Sequence, residues 1–126
     1  MPKISKQSAP DVMDAGPAVD RGGHLDDYAV DFVTIQQGHS LAPLLAGLPG
    51  DSCPCPHWGY VFAGQITVTY PDREEVFEAG DAFYMPPGHV PAAVAGTELV
   101  QFSPGAQLAE VMTAMAANAQ RLAARS

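Results

Sequence analysis

The chain has 126 residues, 47% of them hydrophobic, and a formal net charge of −8 with six lysines and arginines. That length suits a single domain with a modest core and no disulfide support, and the apolar fraction excludes wholesale disorder. So acidic a chain lacks the basic face that nucleic acid or anionic lipid requires, and its longest apolar run falls far short of a bilayer span.

Residues 1–27 are rich in Pro, Gly, Asp, Ala and Ser without a sustained period. They are expected to form a flexible N-terminal arm that orders against a partner subunit. Lys3 and Lys6 are followed by no apolar segment of the secretory kind, so the expected location is the cytoplasm, where thiols stay reduced.

From Tyr28 the texture changes. "YAVDFVTIQ" mixes β-branched and aromatic residues and reads as a strand. "LAPLLAGLPG" is punctuated by Pro43, Gly47, Pro49 and Gly50 and supports one helical turn at most. Then come short strands cut by turns: "HWGYVFAG", "ITVTY", "EVFEAG", "DAFYM", "HVPAAVA" and "ELVQFS". Strands this short, about 8–12 residues apart, indicate an antiparallel sandwich or barrel over residues 28–104. Ser103 is placed as an N-cap and Pro104 at the first helical position. Leu108, Val111, Met112, Met115 and Leu122 then recur at helical spacing. The segment 105–126 is therefore read as a C-terminal helix packed across an open end of the sheet structure.

The segment "DSCPCPHWGY" concentrates both cysteines, one of four histidines and the only tryptophan. In an extended chain Cys53, Cys55 and His57 share one face, and Asp51 extends the parity backwards. Pro54 and Pro56 favour that extended backbone. Such a row suits metal ligation. It is equally compatible with cysteines packed as small hydrophobes beside a hydrogen-bonded histidine, or with a redox thiol. Trp58, Tyr60 and Phe62 occupy the opposite face, as sheet packing or a subunit interface. His24 with Asp26 and Asp27 reads as a solvated turn, and His39 as a surface or helix-start residue.

These segments resemble the cupin superfamily of small jelly-roll barrels. "HWGYVFAGQITVTY" is similar to the end of the first cupin motif. "EVFEAGDAFYMPPGHVP" is similar to the second, with Gly80, Pro86 and Gly88 in register. The resemblance implies an all-β cupin-type barrel over 28–104, a homodimer and a ligand pocket within the barrel.

The usual ligand set is altered. His57 stands where the first motif has a glutamate, Pro91 stands where the second has a histidine, and His89 comes two residues early. The resemblance places His89 on the strand next to His57. Two thiolates (Cys53, Cys55) and two imidazoles (His57, His89) then converge. Such a set suits a divalent metal, most naturally zinc, with copper or iron as alternatives, at about 2.3 Å from sulfur and about 2.0–2.1 Å from nitrogen. Asp51 is the candidate base, and Tyr84 and Met85 are candidate pocket residues. The functional expectation is a metal-binding protein with a small-molecule pocket. The alternatives are a metal-free ligand-binding or sensing module and a structural zinc-clipped dimer.

Overall fold

In a computed structural model that describes residues 3–124, two antiparallel sheets face each other and one helix closes an end. Alternation drives the strands. β5 (His57–Ala63) buries His57 and Val61 and exposes Trp58, Tyr60 and Phe62. The larger sheet runs β1 (Asp11–Asp14), β2 (Ala18–Leu25), β3 (Tyr28–Ile35), β10 (Glu98–Pro104), β5 and β8 (Ala82–Met85). The smaller runs β4 (His39–Ser40), β9 (Val90–Ala93), β6 (Gln65–Thr69) and β7 (Glu74–Glu78). Among the described residues no strand ladder joins the two sheets. The expected barrel is therefore an open double-sheet jelly roll.

Val61, Ile66, Val68, Tyr70, Phe83, Met85 and Leu99 fill the space between the sheets. Each large aliphatic or aromatic side chain buried there contributes about 1.5–3 kcal/mol. The β5–β6 turn needs Gly64: its φ is +82°, and a Cβ at that position would run into Thr97.

The stretch expected to be a flexible arm supplies β1 and β2 instead. β2 pairs with β3 from Ala18↔Ile35 to Leu25↔Tyr28. Residues 3–10 lie over the outer face, where Ile4 and Pro10 sit against Gly23 and the Lys6 ammonium meets Glu98 at 2.9 Å.

The helix, α1 (Gly105–Ala124), follows β10 directly. It crosses the 3₁₀ turn Ala42–Leu45, and the Asn118 amide donates to the carbonyls of Leu44 (2.7 Å) and Ala46 (2.9 Å). Val111 packs with Leu45, Cys53 and Cys55 in a second apolar cluster under the helix. No helix among the described residues is long and apolar enough to cross a membrane.

Candidate metal centre and its cavity

One isolated backbone bridge assembles the site. The Cys53 N–H donates to the His89 carbonyl (2.9 Å), and the Gly88 N–H donates to the Cys53 carbonyl (2.8 Å). This pins the loop before β5 against the "PPGH" turn before β9. His57, the first residue of β5, faces inward beside them. Cys53, His57 and His89 each offer a ligand atom, and these three atoms lie within 4.8 Å of one another. The Cys53 sulfur is 3.7 Å from His57 Nε2, and the imidazole centroids are 4.9 Å apart.

Both rings are oriented from behind. His57 Nδ1 is hydrogen-bonded to Ser103 Oγ at 2.6 Å, and His89 Nδ1 to the Pro86 carbonyl at 2.7 Å. Each ring therefore presents Nε2 to the cluster, the orientation that a hydrogen bond to the opposite ring nitrogen gives metal-binding histidines. His89 is fully buried, yet its Nε2 has no hydrogen-bond partner. Such an orphan calls for an explanation, and a bound ion supplies one.

The electrostatics make the cluster neutral. Burial, then the neighbouring His89, pushes His57 down to about 3. Burial also lowers His89, against the hydrogen bond to Pro86. Desolvation raises the Cys53 thiol, which disfavours the redox-thiolate reading in the metal-free protein.

The structure brings together three of the four expected donors and leaves out Cys55. Residues 54–56 belong to no strand, so the spacing of two that places alternate residues on one face does not apply there. Cys55 is fully buried in the cluster under α1, its sulfur 3.5 Å from the Pro56 carbonyl. Burial, then Cys53 and Asp31, pushes its thiol up to about 12. Asp51 is exposed at the end of a 3₁₀ turn and accepts the Gly47 N–H, away from the cluster. Tyr84 is 48% exposed on the outer face and stacks on Trp58, whereas Met85 is buried and lines the cavity. His24 is exposed and Asp26 makes the β2–β3 turn at φ 57°. His39 lines the cavity after all.

Sequence reasoning missed Ser103. Read as a helix N-cap, it lies in β10 and its hydroxyl is hydrogen-bonded to His57 Nδ1. It also missed Asp20, Gln101 and Asp31. Asp31 did carry a signal, an acid in the middle of the apolar run "YAVDFVTI".

The cluster opens into a cavity of about 460 Å³ between the sheets and α1. Val33, Ile66, Leu99, Met112 and Met115 form much of its apolar wall. The volume lies in the range of small-molecule sites. Fold and site together define a jelly-roll protein with a buried thiol–imidazole cluster in the wall of an apolar cavity.

No family model matches the chain, and no curated protein matches it. Solved structures do. One is a structural-genomics protein of unknown function from Rhizobium leguminosarum bv. viciae 3841, at 18% identity over 82% of this chain and 94% of that one, TM-score 0.59. The polyketide cyclase RemF from Streptomyces resistomycificus matches at 15% identity over 83% and 80%, TM-score 0.58. An RmlC-like cupin from Shewanella frigidimarina NCIMB 400 matches at 20% identity over 75% and 83%, TM-score 0.52. The fold is the cupin fold.

Proposed function

We propose that this cupin-fold protein holds one divalent metal ion on Cys53, His57 and His89 and binds a small molecule in the adjoining cavity. The observation that carries this reading is the fully buried His89 Nε2, without a partner and grouped with a thiol and a second imidazole nitrogen. With Cys55 absent from the set, the protein supplies three donors. Two imidazoles and a thiolate leave a fourth position open, as catalytic rather than structural zinc sites do.

Zinc fits this donor set, and when bound it supplies a Lewis acid for a ligand oxygen or water. The chain's own residues do the rest. Ser103 and the Pro86 carbonyl fix the rings, Cys53 gives up its proton on binding, and α1 with the apolar wall excludes bulk water. Copper is a second reading, favoured by one observation: the buried Met85 stands directly opposite His57 in the β5–β8 register. Two histidines, a cysteine and a distant methionine form a copper set.

The same reading includes a cytoplasmic homodimer. The outer face of the larger sheet exposes Trp58, Tyr60, Phe62 and Tyr84, a cluster of large aromatics of the kind that marks interaction surfaces. Sedimentation showing only monomer would reject the dimer.

Elemental analysis of protein purified without a histidine tag tests the metal reading. About one equivalent of zinc or copper per chain is expected, lost in Cys53→Ser and His89→Ala. Unchanged metal content in both variants would refute it.

A further inference from the structure

Two carboxyl groups on the inner face take no part in the metal centre. In the β2–β3 register Asp20 stands opposite Val33, and Asp31 opposite Gly22. Gly22 permits their approach: a Cβ there would fall 2.6 Å from Asp31 Oδ1 and 3.5 Å from Asp20 Oδ1. The Asp31 carboxyl thus lies over the bare glycine, on the side that Asp20 also approaches. Two neighbouring carboxylates repel when both are ionised, which favours a proton on one of them. Burial, followed by the hydrogen bond to Asp31 and its charge, raises Asp20 to about 8. Burial raises Asp31 as well, so at neutral pH the pair retains a proton on Asp20.

The ionisable groups around the pair do not neutralise it. His24 of β2, exposed to solvent, lowers Asp31 only as the smallest of three influences. Asp11 of β1 shares the neighbouring surface cleft, and Cys55 is a buried thiol. The second oxygen of Asp31 is buried without a partner.

Asp20 opens into the same cavity as His57 and His89, and so does Gln101, whose neighbours across β10 are Asp31 and Gly59. No lysine or arginine lines this cavity among the described residues. A ligand's polar end at this wall meets the Asp20 carboxyl and the Gln101 amide, with Asp31 behind Asp20 in the neighbouring cleft. A hydroxyl or carbonyl oxygen is satisfied by that set. A carboxylate meets an acidic pair and no cation that would offset its desolvation.

We infer that the Asp20–Asp31 pair is the cavity's polar recognition element, selecting apolar molecules that end in an uncharged hydroxyl or carbonyl oxygen and rejecting those that end in a carboxylate. The inference rests on the cavity being the ligand site proposed above, but not on the metal.

It is tested on chelator-treated protein, titrated at about pH 7 with 1-hexanol and with hexanoate and followed by NMR shifts of cavity residues. Hexanol is expected to bind about tenfold or more tighter than hexanoate, and in the double variant D20N/D31N the two should come within about threefold. Hexanoate binding as well as hexanol to the native protein, or an unchanged ratio in the variant, overturns the inference and leaves the ligand-site reading standing. If neither probe moves the cavity resonances, the ligand-site reading falls and this inference with it. Isotope-edited infrared spectra of aspartate-labelled native protein need no variant to fold. They should show the C=O stretch of a protonated carboxyl at neutral pH, and its absence overturns the proton placed on Asp20.

Discussion

Replacing Ser103 with alanine removes a single hydroxyl, yet it reaches both stability and metal binding. Ser103 is fully buried and its Oγ is the 2.6 Å partner of His57 Nδ1. In the variant that nitrogen keeps its burial and loses its hydrogen bond. A buried polar group left unsatisfied costs about 1–3 kcal/mol. For a chain of this size that corresponds to a fall in Tm of about 4–10 °C. The freed ring can also rotate, and loss of such an orienting contact lowers metal affinity about 10–100-fold. Scanning calorimetry of the metal-free protein reads the first effect, and zinc titration against a competing chelator reads the second. Ser103→Thr, which restores the hydroxyl, should recover most of both, whereas the similarly shaped Ser103→Val should recover neither. A Tm within about 1 °C of native together with zinc affinity within about twofold would refute the role assigned to Ser103.

Other expectations separate the donors from their neighbours. Cys55→Ala should keep full metal content while losing about 1–2 kcal/mol from the cluster under α1, and metal loss would return Cys55 to the ligand set. Asp51→Asn should leave metal content and zinc affinity unchanged, which the same titration checks. Asp20 gives the metal-free protein a pH signature. Its native pKa is raised from 3.8 to about 8, so the folded state holds a proton that the unfolded state has lost. Stability therefore falls as pH rises through that window, by up to about 1.4 kcal/mol per unit. The buried histidines oppose this slope only below about 6.5, where the unfolded state takes up the proton that folded His57 refuses until about 3. Tm should thus decline between about pH 6.5 and 8, and the decline should shrink in Asp20→Asn. A Tm that rises across that range would contradict the raised pKa.

β3 and β5 to β10 were legible because inward and outward residues alternate, most clearly in β5 with its buried His57 and Val61 between exposed aromatics. Ser103 and Pro104 were read as the helix start but end β10, and the two-residue β4 was not legible. Nor were β1 and β2. "AVDRGGHL" has two glycines and three ionisable residues, and its inner face carries Asp20, so no apolar period marks it. Its strand comes from pairing with β3, a tertiary cause that local pattern does not record. Of the site, Cys53, His57 and His89 could be singled out as rare donors near the turn motifs. Cys55 was misassigned because alternation was extended through Pro54 and Pro56, where the backbone forms no ladder. Ser103 fits both a helix cap and a strand end, and only the fold decides between them.

Cobalt(II) substitution reads the three-residue site itself, because its absorption spectrum reports both geometry and sulfur ligation. One equivalent of cobalt should give intense tetrahedral d–d bands with a thiolate charge-transfer band that persists in Cys55→Ala and disappears in Cys53→Ser. A weak octahedral spectrum without sulfur charge transfer, or one indifferent to Cys53, would contradict a metal held by Cys53, His57 and His89.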